Sequence, residues 1–189
     1  MPTLTVIAGP NGSGKSTLTS SISFEGNANL IDPDAIARRL DVARPARAAI
    51  PAAREAILRC KALLADRASF SLETTLAGHG AMGLVRQARK AGYQTFLVYV
   101  SLGDPELHIE RVRLRVSQGG HDIPDADIRR RYWRSLARAP EALRLASEAA
   151  VLDNSGLHPV RVLLLKDGRL VWQADSLPKW AQQLKESLE

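Results

Sequence analysis

The sequence predicts an α/β fold: a mostly parallel five-stranded sheet of order 2-3-1-4-5, covered by helices on both faces as a three-layer sandwich, with a C-terminal hairpin and a helical lid. Three observations lead there. An apolar run at residues 3–8 passes directly into a glycine-rich loop and then a helix. Short β-rich runs alternate with helical patterns along the chain, and no apolar run reaches the roughly 20 residues a membrane span needs. The 189 residues have the length of one domain, 1–189, with room for a continuous core and small appendages.

Residues 3–8 read as a short buried strand, and "KSTLTSSI" starts a helix. A second strand at 29–31 ends in "DPD", and "DAIARRL" is helical. From Pro51 to Arg67, Ile57, Leu58, Leu63 and Leu64 recur at helical spacing, which fits one helix packed on the sheet. "ASFSLETT" at 68–75 is a third strand ending in an acid. "MGLVRQARKAG" is a helix closed by Gly92, and "YQTFLVYVSL" is the strongest strand pattern, rich in β-branched and aromatic residues. Asp104 before Pro105 opens a helix that stops at Gly119 and Gly120; another begins near Pro124. "AAVLDNSG" is a fifth strand with a polar tip, "VRVLLLKDGRLVWQA" a hairpin turning at Asp167 and Gly168, and a last amphipathic helix runs from about Pro178.

Composition narrows the class of function. Hydrophobic residues make up 45% of the chain and charged ones 24%, as in ordinary globular proteins, and the net charge is +6. Twenty arginines against six lysines carry that charge, and arginine's planar fork suits phosphate and carboxylate. The same charge would suit an ATP-switched nucleic-acid-binding module, but aromatic residues are only 5% and no nucleic-acid motif is present, which ranks that reading below a small-molecule kinase. Cys60 is the sole cysteine, so no intramolecular disulfide forms. With no signal-peptide pattern at the N-terminus and no membrane partner implied, these features point to the cytoplasm.

The chemistry concentrates in "GPNGSGKST", where Gly9, Gly14, Lys15 and Ser16 fit G-x-x-x-x-G-K-[ST] between a strand and a helix. This is a P-loop. Gly9, Pro10, Asn11, Gly12, Ser13, Gly14, Lys15, Ser16 and Thr17 are the expected ATP-binding residues. Backbone N–H groups and the helix start surround the β-phosphate, Lys15 reaches the β- and γ-phosphates, and Ser16 holds Mg2+. ATP and Mg2+ are thus the expected cofactors of a P-loop NTPase fold of kinase type.

Asp32 and Asp34 stand at the carboxyl end of the second strand, where ligands bind in open α/β sheets. Asp32 reads as a helix N-cap, and Asp34 as a general base for an acceptor hydroxyl, although it too stands where it can cap. Glu73 ends the third strand, followed by Thr74 and Thr75; it orients Mg2+ or binds the acceptor, against the plainer reading of a surface charge. The absence of an acid in "FLVYVSL" favours phosphoryl transfer over hydrolysis. Arg111 and Arg115 share a helix face while Arg113 points elsewhere, at the start of a lid spanning about 111–138. Arg111 is the expected catalytic clamp on the transferring group, with Arg115, His121 and Arg131 as contacts to the anionic substrate. Arg129, Arg130, Arg134 and Arg138 extend the lid or coat a helix. "LDNSG" at 152–156 either passes the nucleotide base or is simply a turn.

Taken in order, "GPNGSGKST", "NLIDPDAIA", "FSLETTLAG", "IERVRLRVSQGGHDIPDADIRRRYWRSL" and "VLDNSG" resemble the zeta toxin-like kinases, whose studied members phosphorylate UDP-N-acetylglucosamine. The resemblance covers about residues 3–156. It implies Lys15 and Ser16 at the triphosphate and magnesium, Asp34 as base for the sugar hydroxyl, Glu73 and Thr75 near the acceptor, and Arg111 as phosphate clamp. It also implies a small-molecule acceptor such as UDP-N-acetylglucosamine and an antitoxin protein as partner. The chain departs from the family where a second lid arginine precedes a proline. Here "GGHDI" stands before Pro124, so His121 or an arginine of the 129–131 run takes that place.

Overall fold

Every residue of the first strand, Thr3–Ala8 (β1), is buried, as befits a strand covered on both faces. Leu4, Val6 and Ala8 join the main apolar core, while Thr3 and Thr5 alternate onto the opposite, more polar side. The computed structural model describes residues 1–22, 24–120 and 122–189. From β1 the chain enters Lys15–Ser21 (α1), Leu30–Ile31 (β2), Pro33–Leu40 (α2), Ala49–Ala65 (α3), Phe70–Thr74 (β3) and Gly80–Lys90 (α4). Gln94–Ser101 (β4), Pro105–Ser117 (α5), Asp125–Leu145 (α6), Glu148–Asp153 (β5), Val160–Lys166 (β6), Arg169–Gln173 (β7) and Lys179–Glu186 (α7) complete it.

The sheet order is β2-β3-β1-β4-β5-β6-β7. Its first five strands are parallel in the expected order 2-3-1-4-5, and the hairpin extends the same sheet antiparallel to β5, so the sheet has seven strands. The hairpin turns at Asp167 and Gly168, both with positive φ (47° and 76°), the geometry of a tight two-residue connection. Because β1 lies directly between β3 and β4, Ile7 stands beside Glu73, and the glycine loop opens next to the ends of both neighbours.

Side chains of α3, α4, α6 and α7 cover one face of the sheet, and α1 packs on β1 from the other. The α3 helix falls close to the expected bounds, and Leu63 and Leu64 pack on the core as expected, but its middle turns bury another face. Ala52, Ala56 and Cys60 pack inward, whereas Ile57 and Leu58 are 54% and 66% exposed. Small side chains at i, i+4 and i+8 let the helix lie close on its support. Burial pushes the Cys60 thiol up to about 11, so it behaves as a small apolar residue. Helices α5 and α6 enclose a separate small cluster of Ile109, Val112, Ile123 and Ile128. No helix among the described residues is long and apolar enough to cross a membrane.

Candidate active site

The loop between β1 and α1 is shaped by close backbone approach. Gly9 has φ +147°, and a Cβ there would fall 2.0 Å from the Val100 carbonyl oxygen of β4. Only glycine fits both constraints. The Gly9 N–H donates to the Thr74 carbonyl at 3.1 Å, tying the loop to β3 as well.

Lys15 is buried within this loop, and its Nζ donates to the Pro10 carbonyl at 3.0 Å. Burial pushes its ammonium below the ordinary value; Glu73, Asp34 and Asp32 pull it back up, and Arg115 adds to the fall. Glu73 is likewise buried, and burial lifts its carboxyl above the usual range. Lys15 and the Ser16 hydroxyl oppose that rise, and Asp32 and Asp34 add to it. Ser16 Oγ donates to Glu73 Oε1 at 2.7 Å, and Thr19 Oγ1 lies 3.5 Å from Glu73 Oε2. The site therefore holds a buried cation short of negative charge beside a buried carboxylate short of positive charge. A triphosphate and a divalent cation supply both, and the hydroxyl and carboxylate are the hard oxygen donors such a cation takes.

Asp32 and Asp34 divide their labour. Asp32 is the N-cap of α2, accepting the Asp34 N–H at 2.8 Å, with Pro33 in the first turn. The Asp34 carboxylate is thereby left out of the cap, exposed, and within electrostatic reach of Lys15 and Glu73. Thr75 sits half-buried just past β3, while the Thr74 hydroxyl accepts the Leu76 N–H at 3.1 Å. Beyond these residues a cavity of about 470 Å3 opens between the start of α2, α3 and α4, lined by Pro33, Ala56, Cys60, Glu73, Thr74, Ala81 and Leu84 among others.

The structure sorts the arginines by partner. Arg111 donates to the Asn154 carbonyl at 2.7 Å, and Asn154 Nδ2 donates to the Ser13 carbonyl at 2.9 Å, so Arg111 braces the loop from behind. Arg115 acts on Lys15, and Arg131 reaches the Asn11 side chain at 3.1 Å. Arg113 turns away to Asp125, Arg129 holds Glu106 in a fork, Arg130 pairs with Asp127, and Arg138 donates to the Ala77 carbonyl. His121 lies outside the described residues.

Two contributions escape sequence reasoning. Fully buried His108 joins the end of β4 to the loop: its Nε2 accepts the Leu102 N–H at 3.2 Å, which leaves Nδ1 to donate to the Asn11 carbonyl at 2.8 Å. Burial, aided by the charges of Lys15 and Arg111, pushes its imidazole down to about 4. Its one sequence signal is a histidine four residues before Val112 on the apolar face of α5. The second is the backing of "LDNSG": Asp153 Oδ1 accepts from Ser155 Oγ and from Nε1 of buried Trp180 on α7, fixing the turn that presents Asn154.

Comparison with known proteins agrees with this architecture. A chain of the AvrRxo1-ORF1:ORF2 complex crystallised with ATP superimposes over this whole chain with TM-score 0.74 at 14% identity, and this chain spans 64% of its length. The PezAT chromosomal toxin–antitoxin system of Streptococcus pneumoniae gives TM-score 0.64 at 15% identity, over all of this chain and 82% of the other. A structure described as a putative kinase from Chloroflexus aurantiacus gives 0.55 at 17% identity, over 71% and 80%. At these identities the likeness is one of fold, and that fold is the kinase-like P-loop sandwich. An uncharacterized protein of Haemophilus influenzae is 33% identical over 124 residues, 66% of this chain and 88% of that protein. The family model described as an AAA domain matches residues 4–134, and the chain belongs to that family.

Proposed function

We propose that residues 1–189 form one kinase domain that transfers the γ-phosphate of ATP to a hydroxyl of a small molecule, acting in the cytoplasm. The observation that carries this is that buried Lys15 lies within electrostatic reach of buried Glu73, which receives the Ser16 hydroxyl, beside the exposed Asp34 carboxylate. Lys15 would hold the β- and γ-phosphate oxygens and stabilise the charge that moves to the bridging oxygen as the bond to the γ-phosphorus breaks. Asp34 takes the proton of the acceptor hydroxyl as its oxygen bonds to that phosphorus, and ADP leaves. Ser16 and Glu73 would hold Mg2+, which when bound neutralises phosphate charge. Arg115 and Arg131 approach from α5 and α6, the expected lid, while Arg111 fixes the loop they close upon.

The cavity beside Glu73 and Thr74 has the size of a small-molecule site and receives part of the acceptor in this reading. Nucleotide sugars such as UDP-N-acetylglucosamine head the acceptors to test, followed by other metabolites and antibiotics. The AvrRxo1 complex and the PezAT toxin–antitoxin system support a protein partner of antitoxin type for this chain too.

The test incubates the protein with Mg2+ and γ-labelled ATP, with UDP-N-acetylglucosamine or a metabolite pool, and follows label into small molecules. Transfer is expected in the wild type and lost in Asp34→Asn, which still binds nucleotide; Lys15→Ala loses both. Label found only in inorganic phosphate, unaltered by Asp34→Asn, would overturn the transferase reading.

A further inference from the structure

A second concavity, about 660 Å3, lies between the C-terminal half of α2 with the segment after it and the turn that follows α5. Arg38, Arg44 and Arg47 line one wall; Gly119, Gly120 and Asp122 line the other. Arg44 and Arg47 make no ion pair among the described residues, and the local charge is positive even with Asp122 counted. Two exposed guanidinium groups with no carboxylate to hold, on one wall of a groove, favour an oxyanion that takes several N–H donors at once.

Both walls lead back to the phosphoryl site. Arg38 pairs with Asp32 at 3.4 Å, and Asp32 in turn acts on Lys15. On the other side Gly120 packs on Arg115 so closely that a Cβ there would fall 2.6 Å from Arg115 Cγ, and Arg115 also acts on Lys15. Arg38 follows Asp34 by one helical turn on α2, so their side chains share a face with Cβ atoms about 6 Å apart.

We infer that this groove is an oxyanion subsite for the acceptor, taking a phosphate monoester through Arg38, Arg44 and Arg47 while the acceptor's hydroxyl meets Asp34. This deepens the kinase reading and rests on it. The spacing between base and arginines sets the size of the acceptor: a reacting hydroxyl and a phosphate roughly 6 to 10 Å apart, as in a phosphorylated sugar or a nucleoside monophosphate. The groove is bounded by two walls and has small-molecule dimensions, which distinguishes it from an open basic stripe that tracks a polynucleotide.

The test is calorimetric and needs no turnover. Inorganic phosphate is titrated into protein whose P-loop is already saturated with Mg2+ and a non-hydrolysable ATP analogue. Wild type is expected to bind one further equivalent in the millimolar range, and Arg44→Gln/Arg47→Gln to bind it at least tenfold more weakly with unchanged affinity for the analogue. Absence of the second equivalent, or equal binding by the double variant, overturns the subsite. Should the analogue itself fail to bind, the nucleotide reading falls separately. The groove is then tested by phosphate binding to Lys15→Ala with and without the two arginine changes, where dependence on Arg44 and Arg47 upholds the subsite and independence removes it. A twelve-nucleotide DNA that displaces phosphate from the groove at lower concentration than a sugar phosphate does would overturn the small-molecule assignment.

Discussion

Acidification is expected to destabilise the protein through His108. The imidazole titrates at about 4 when folded, against an ordinary value near 6.5, because burial excludes the charged form and Lys15 and Arg111 repel it. The folded value lies below the unfolded one, so the unfolded chain takes up the proton first. The stabilising contribution is therefore complete above pH 6.5 and is lost progressively as pH falls toward 4. At about 1.4 kcal/mol per pH unit, His108 alone removes about 2 kcal/mol between pH 6.5 and pH 5. The assay is urea denaturation at pH 7 and pH 5 of the wild type and of His108→Gln, whose amide can still accept from Leu102 and donate to Asn11 but does not titrate. Carboxylates contribute equally to both proteins, so the wild type should lose about 2 kcal/mol more than the variant over this interval. Equal losses would refute the buried, neutral His108 on which the reasoning depends.

Gly9→Ala places a Cβ 2.0 Å from the Val100 carbonyl oxygen at a φ of +147°, and should cost more than about 3 kcal/mol or prevent folding; a wild-type melting temperature would contradict the close approach. Asn154→Ala removes the hydrogen bond to the Ser13 carbonyl, worth about 1 kcal/mol, so nucleotide affinity should fall roughly fivefold in a binding titration while overall melting changes little. Ser13→Ala deletes a buried hydroxyl that has no hydrogen-bond partner among the described residues; it should melt at or slightly above the wild-type temperature, and a clear loss of stability would show that the hydroxyl is satisfied.

The readable parts of this sequence were those whose physics is local. The glycine spacing of residues 9–14, the cap formed by Asp104 ahead of Pro105 and the Asp167–Gly168 turn each depend on a few adjacent residues, and the structure has all of them. Alternating strands and helices with right-handed crossovers call for a doubly wound parallel sheet, and the structure has the order 2-3-1-4-5 within it. The arginines could not be sorted in the same way. Arg111, Arg113 and Arg115 are identical in chemistry and neighbours in sequence, yet one braces Asn154, one pairs with Asp125 and one acts on Lys15. Which of them faces the phosphate site is set by where β5 and α6 return. For α3, helical periodicity marked Ile57, Leu58, Leu63 and Leu64; the last two pack on the core, but in the middle turns the packing surface is Ala52, Ala56 and Cys60, whose small side chains let the helix lie close.

The phosphate loop is thus written in the first seventeen residues but held by others far along the chain. Val100 fixes Gly9 from β4, His108 fixes Asn11 from α5, and Asn154 fixes Ser13 from the end of β5. Of these, α5 has a double role. Its N-terminal half is fastened to the loop through His108, and two turns later it carries Arg115, against which the turn at Gly120 packs. In the proposed reaction Arg115 and the His108 contact that holds the phosphate loop then lie on one helix. Closure can bring Arg131 and the α6 side inward without disturbing the nucleotide, because His108 keeps the near end of α5 in place. Only the start of α6 shares the small cluster of Ile109, Val112, Ile123 and Ile128, whereas Ala139, Ala142 and Leu143 anchor its later turns in the main core, so movement of a lid over the preformed phosphate site is confined to the segment before and at the start of α6.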